Sequence, residues 1–269
     1  MYMDKNVLVI GGSSQIAIET IKLMLEDGYR VYATSRSEIG LKHDNLFKYR
    51  LDVSNKDDFF KLKSAICNIG FEAIIYASGI AISSPVEFLD EEELSRQLDV
   101  NLFGLLRTIK HFSPLLINKY SKIINISSMA AYGVFPFLSP YCLSKAASDI
   151  LLRTFSNETG IKYVSVRPGA IRTRFWSGCI EDNKKNFKNF GSKYEKIGLY
   201  MIENAKRNAC EALEPEFAAR KIYKAICSKN PKPVLNIGND AKFCAFFSKF
   251  FRQSFVDTYI KKSVELKSK

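Results

Sequence analysis

Tyr141 and Lys145 stand four residues apart in Tyr141-Cys142-Leu143-Ser144-Lys145, and Ser128 precedes the tyrosine by thirteen positions. On a helix, positions i and i+4 share a face, so this spacing sets an ammonium beside a phenol. A free tyrosine has a pKa of about 10 and is a poor base at neutral pH. A nearby cation favours the phenolate and lowers that pKa. The pair then suits general acid–base work on an alcohol or a ketone. A Tyr-x-x-x-Lys pair arises by chance in many helices. A serine at this offset, closing the strand run Asn125-Ile126-Ser127-Ser128, makes chance a poor account.

These side chains need elements to hold them. Short apolar, β-branched runs recur at Asn6–Ile10, Arg30–Thr34, Leu46–Leu51, Ala73–Ala77, Lys122–Ile126, Lys162–Val166 and Val234–Ile237. Helical patterns lie between them. Gln15–Glu26 is mostly apolar, Asp90 is an N-cap candidate with three glutamates behind it, and Pro140 opens a helix running to about Phe155. A further helix spans Glu214–Cys227. Strands alternating with helices predict an α/β fold, a doubly wound, Rossmann-like parallel sheet of about seven strands with helices on both faces. In such sheets ligands bind at the carboxyl ends of the strands.

Those ends carry polar groups. After the first strand comes Gly11-Gly12-Ser13-Ser14-Gln15-Ile16-Ala17, a small-residue turn into a helix that lets backbone N–H groups approach phosphate. The second strand ends in Ser35-Arg36, with no acid before Glu38. A carboxylate here usually takes the ribose diol of NAD, whereas an arginine can take a 2′-phosphate through a charge-assisted fork. The third and fourth strands end in Asp52-Val53 and in Ala77-Ser78-Gly79.

Taken in order, these motifs resemble the short-chain dehydrogenase/reductase family, in its common branch, from about Lys5 to Gly238. The resemblance implies a catalytic tetrad of Asn101, Ser128, Tyr141 and Lys145. Tyr141 would exchange a proton with the substrate oxygen, and Lys145 would lower its pKa and hold the nicotinamide ribose. Ser128 would polarise the carbonyl, and Asn101 would anchor a relaying water. It further implies cofactor contacts from Gly11, Ser13, Ser14, Gln15, Ile16, Ser35, Arg36, Asp52, Val53, Ala77, Ser78 and Gly79. Asn101, Tyr141 and Lys145 would join them, with Pro168, Gly169, Ile171 and Thr173 at the nicotinamide. The expected activity is hydride transfer between NADP(H), favoured over NAD(H), and an apolar or lipid-like carbonyl or alcohol. A sugar-nucleotide epimerase fits the glycine spacing less well. A cofactor-binding sensor or scaffold that lacks catalysis is the alternative, motivated by Gln15, one of two departures from the family pattern. Gln15 stands where the family has its middle glycine, and Tyr76-Ala77 replaces two asparagines. Gln15 predicts modest cofactor affinity.

Composition narrows the class. The chain has 269 residues, 46% hydrophobic and 25% charged, which excludes disorder, collagen and coiled coil. Six scattered cysteines offer no Cys-x-x-Cys pair, so no metal site is expected, and with no secretory signal the address expected is cytoplasmic. The net charge of +12 is uneven, with 19 basic and 10 acidic residues after position 180. Such a balance suits a phosphorylated ligand, an anionic lipid or a nucleic acid, or simply a solvated lysine-rich face. Nucleic acid is not expected as a partner, and a homo-oligomer is. The expected layout is one catalytic domain, 1–240, whose segment 174–208 covers the substrate, followed by a phenylalanine-rich amphipathic appendage, 241–269. Phe243, Phe246, Phe247, Phe250 and Phe251 fall on one helical face there. Three fates stay open for it: a lid, a subunit contact, or peripheral contact with an anionic membrane through 241–260.

Overall fold

The computed structural model of the chain describes residues 5–175, 191, 194–199, 202–203, 212–250, 258 and 262. Its centre is a seven-stranded parallel sheet in the order β3-β2-β1-β4-β5-β6-β7. The strands are β1 (Asn6–Ile10), β2 (Arg30–Ser35), β3 (Leu46–Arg50), β4 (Ala73–Tyr76), β5 (Lys122–Ile126), β6 (Lys162–Pro168) and β7 (Val234–Ile237). The chain runs outward from β1 to β3, then returns to β4 on the other side of β1. That reversal opens a crevice at the strand ends, where a ligand can sit.

The period-2 alternation of the strands builds two cores. Val7, Val9, Val31, Ala33, Ile75 and Val166 face one side, packed with Ile21 and Met24 of α1 (Gln15–Glu26). Ile222 and Ile226 of α6 (Pro215–Cys227) complete that core. Leu8, Ile10, Tyr32, Ile74 and Ile123 face the other, against Phe59 of α2 (Lys56–Ile66) and Leu105 and Phe112 of α4 (Gly104–Phe112). Leu152 of α5 (Ser139–Thr159) joins this second core. Each such side chain, buried, contributes roughly 1.5–3 kcal/mol, which is why both helical layers stay on the sheet.

One helix extends beyond the sequence pattern. α5 continues to Thr159, where Gly160 at φ 73° ends it in the left-handed conformation. α3 (Glu91–Leu98) is capped by Asp90, whose carboxylate accepts from Glu92 N at 2.7 Å, and runs through a five-residue π-turn, Asp99–Phe103, into α4. α2 presents Phe59, Leu62 and Ile66 at i, i+3 and i+7 to the core, and Asn55 caps it by accepting from Asp57 N. The last described helix, α7 (Asn239–Phe250), packs on β7 and on the turn Met129–Tyr132 that follows Ser128. No described helix is long and apolar enough to cross a membrane. Continuation of the phenylalanine stripe past Phe250 lies outside the described residues, as do Trp176, Phe187, Phe190 and Tyr200 of the expected substrate cover.

Candidate active site

The β1–α1 turn is built for close approach. Gly11 adopts φ 87°, and a Cβ there would lie 2.6 Å from the amide nitrogen of Ser78. Only glycine fits both constraints. Gly11 N and Gly12 N both donate to the carbonyl of Thr34, at 3.0 and 2.8 Å, which folds the turn tightly over β2. Ser14 then caps α1 by accepting from Ala17 N, and the other N–H groups of the first turn have no partner within the helix. Ser35 Oγ donates to Ser13 Oγ at 2.7 Å, tying this turn to the end of β2, where Arg36 follows.

Two connected clefts open along these strand ends. One, of about 530 Å³, is lined by Ser13, Ser14, Gln15, Ile16, Ala77, Ser78 and Gly79 on its near side. Ser128, Tyr141, Lys145, Pro168, Gly169, Ile171 and Thr173 line its far side. The other, of about 160 Å³, adds Gly11, Ser35, Arg36 and Val53 and shares Ala77, Ser78 and Gly79 with the first. Of the residues expected from the sequence, Asn101 and Asp52 line neither. Asp52 instead accepts from the amide and hydroxyl of Ser54 at 3.0 and 2.6 Å. Burial pushes its carboxyl up, but these bonds, with Arg36 and Arg50 nearby, outweigh that and hold it below the ordinary carboxylate value.

Asn101 sits behind the cleft as a brace. Its Oδ1 accepts from Ile80 N at 2.9 Å, and its Nδ2 donates to Ile80 O and to Ser144 Oγ, both at 2.9 Å. Ser144 Oγ in turn donates to the carbonyl of Tyr141. One buried amide thus links the segment after Gly79 to the helical turn that carries the tyrosine. Gln97, one turn earlier on α3, grips Ile82 N and Ile80 O in the same way. The sequence carried this signal, since Gln97 and Asn101 are four apart and share a face.

Lys145 is buried and donates to the carbonyl of Ile126 at 2.9 Å. Its ammonium lies 5.6 Å from the centroid of the Tyr141 ring. Burial drives the Lys145 pKa down to about 8, opposed by the carboxylate of Asp149. Asp149 is itself buried and takes Arg167 Nε at 2.8 Å and Ser165 Oγ at 2.5 Å. That network was not evident in the sequence, because it joins one residue of α5 to two of β6. Ser128 Oγ accepts from Ala130 N at 3.1 Å, and the buried Ser127 Oγ has no hydrogen-bond partner among the described residues. Phe175 stands 5.9 Å from the Tyr141 ring and joins the cleft wall. Phe137, four residues before Tyr141, is held at φ 67°, its ring buried near Tyr194 and its carbonyl bonded by Ser84 N. Gln15 turns its side chain away from the turn, and Oε1 accepts from Arg174 N at 2.5 Å.

The cradle fits a dinucleotide cofactor: a glycine turn where a Cβ would clash, free helix-start N–H groups, and a basic, hydroxyl-rich second chamber. A family model described as short chain dehydrogenase matches residues 5–184. Among curated relatives, the 3-amino-tetrahydro-pyrrolizinone reductase of Xenorhabdus hominickii is 26% identical, covering 95% of this chain and 94% of its own. The 3-ketodihydrosphingosine reductase of Bacteroides thetaiotaomicron is 28% identical, covering 84% of each. A short chain dehydrogenase from Burkholderia cenocepacia, solved in complex with NADP, superposes at TM-score 0.71 with 21% identity, covering 94% of this chain and 95% of that one.

Proposed function

The chain belongs to the short-chain dehydrogenase/reductase family and is an oxidoreductase, and from that premise we propose that it is an NADP(H)-dependent reductase or dehydrogenase of an apolar, lipid-like carbonyl or alcohol. The observation that carries the reading is that Ser128, Tyr141 and Lys145 line one cleft whose other wall is the glycine turn. Bound there, the nicotinamide would supply or accept the hydride. Tyr141 donates the proton to the substrate oxygen in reduction and removes it in oxidation. Lys145, fixed to Ile126 O, keeps a positive charge beside that phenol, which favours the phenolate. Ser128 Oγ, already oriented by Ala130 N, donates its own proton toward the substrate oxygen. Asn101 fixes the helical turn of Tyr141 through Ser144.

Ser13, Ser14 and Ile16 would hold the pyrophosphate at the start of α1. Arg36, with the hydroxyl of Ser35, would hold a 2′-phosphate. Support for NADP comes from the absence of a carboxylate at Ser35 and from the NADP complex of the Burkholderia cenocepacia protein. Phe175 and the Ile18 and Ile171 side chains make much of the cleft apolar, and a relative is named for a sphingoid ketone, which together favour a lipid-like substrate. The catalytic unit in this reading is residues 1–240, acting as a homo-oligomer.

The test is NADPH oxidation across a panel of long-chain ketones, with Tyr141→Phe as the control. The variant is expected to keep cofactor binding and lose nearly all turnover, since it deletes the proton-transfer group. If it retains more than a few per cent of the wild-type rate on a working substrate, Tyr141 is not the acid.

A further inference from the structure

The C-terminal helix α7 lays phenylalanine on the outside of the molecule. Phe243 and Phe250 are 54% and 65% exposed, and the Phe246 ring lies tilted against the Phe250 ring with centroids 4.8 Å apart. The three fall at i, i+3 and i+7, one helical face, while Ala241 on the opposite side is fully buried. Lysines flank the stripe: Lys242 precedes Phe243, and Lys249 Nζ lies 5.5 Å from the Phe250 ring. A second element continues the same chemistry. Phe217 of α6 is 40% exposed, with Lys221 Nζ 5.6 Å from its ring. Phe217, Lys221 and Lys232 share with Lys242 a groove of about 830 Å³ between α6, β7 and α7. The groove's acid, Asp240, is occupied by Ala170 N and Ala241 N at 2.6 and 2.8 Å.

We propose that this face docks on an anionic lipid surface, with the α7 phenylalanines at the acyl boundary and the lysines at the headgroups. A stripe of rings with ammonium groups along its flank is the arrangement of an interfacial helix, whose apolar face enters the acyl boundary while its lysines reach the headgroups. The two other fates left open by the sequence fit the structure less well. No α7 residue lines the cleft that holds Tyr141, so the described part of the helix does not cover it. A two-fold contact through this face would bring the lysines of both copies into one interface, while the groove's acid, Asp240, is already engaged by Ala170 N and Ala241 N. An anionic bilayer instead complements the lysines described on this face, Lys221, Lys232, Lys242 and Lys249.

Full-length protein is co-sedimented with vesicles of phosphatidylcholine alone and of phosphatidylcholine mixed with phosphatidylserine. Binding is expected only to the mixed vesicles and to weaken with added salt. Phe243→Ser/Phe250→Ser is expected to lower partitioning roughly tenfold or more, as each removes a buried ring from the interface. Lys242→Glu/Lys249→Glu is expected to do likewise. Both pairs lie on the exposed face, and unchanged thermal unfolding and NADPH titration check that the fold persists. The readout needs no substrate, so it stands apart from the proposed reaction. Failure of wild type to bind either vesicle overturns the proposal. So does a phenylalanine variant that binds as wild type, or a concentration-dependent dimer that this variant dissolves.

Discussion

Lys145 is a buried amine whose pKa sits near 8 against an ordinary value of 10.5. Desolvation leads this shift, so the folded state resists the charged form. Between those two values the unfolded chain binds more protons than the folded one, and stability rises with pH. Below pH 8 the full cost of the buried ammonium is present, on the order of 3 kcal/mol for such a shift. Lys145→Met, cofactor-free, is therefore expected to exceed wild type in stability near neutrality, with the gap shrinking as pH rises from 8 toward 10.5. Urea unfolding of both proteins across that range checks it, and a gap that does not change with pH would contradict the account. Arg36 sets a second expectation at this scale. A charge-assisted contact to a phosphate is worth about 1.5–3 kcal/mol, or roughly ten- to a hundredfold. Arg36→Ala should reduce the preference for NADPH over NADH by that factor in calorimetric titration, and an unchanged ratio would remove Arg36 from the site. The pattern Ser128, Tyr141, Lys145 was legible because it uses helix and strand spacing. Asp149 was not, since its partners Ser165 and Arg167 meet it only after β6 has paired with β5.

At the scale of elements, the strands were the easiest to read, since β1, β5 and β7 match their apolar runs end for end. A fully buried parallel strand leaves a short unbroken apolar run with little ambiguity. The π-turn Asp99–Phe103 left no such mark, because one extra residue in a helix shifts the hydrogen bonds but hardly alters the apolar pattern. Tyr76 explains how it is held. Its phenol, fully buried at the end of β4, donates to the carbonyl of Val100 inside the turn. Arg107 clamps the same turn through Asp99 at 2.6 Å and Val53 O at 2.8 Å. Gly104 makes room, since a Cβ there would strike the Tyr76 hydroxyl. The tyrosine that departs from the family's asparagine is thus a positioning residue for Asn101. Tyr76→Phe is expected to cost about 0.5–1.5 kcal/mol, since it removes the phenol's hydrogen bond to the part-buried carbonyl of Val100. Gly104→Ala should be more damaging in wild type than in Tyr76→Phe, because the variant lacks the atom the new methyl would meet. Thermal unfolding of the four proteins measures that coupling, expected at about 1 kcal/mol or more. Strict additivity would mean that the hydroxyl and Gly104 do not share that space.

Across the whole molecule, the C-terminal third reaches the cleft through the loop after β6. Pro168, Gly169, Ile171 and Thr173 line the cleft, and their backbone is held from two directions. On one side Ala170 O accepts from Leu213 N, Arg172 N donates to Leu213 O, and Arg172 pairs with Glu214 at 2.9 Å. On the other, Gly169 N donates to Ile237 O, and the carboxylate of Asp240 accepts from Ala170 N at 2.6 Å. Magnitudes separate the two. The Arg172–Glu214 pair has both side chains more than half exposed, and such pairs contribute about 0–1 kcal/mol. A charged acceptor on a part-buried amide is worth about 1.5–3 kcal/mol. Removing it frees the loop to leave the geometry that the cofactor needs, and apparent affinity falls with the fraction of molecules still in that geometry. Asp240→Ala is therefore expected to raise the NADPH Kd about tenfold, while Glu214→Gln changes it by no more than about twofold. The NADPH-to-NADH ratio should stay constant in both, since neither touches Arg36. Calorimetric titration of the two variants with both cofactors reads all of this. Equal effects from Asp240 and Glu214 would show that the loop is held by its backbone pairing alone, and that α7 contributes nothing to the cleft.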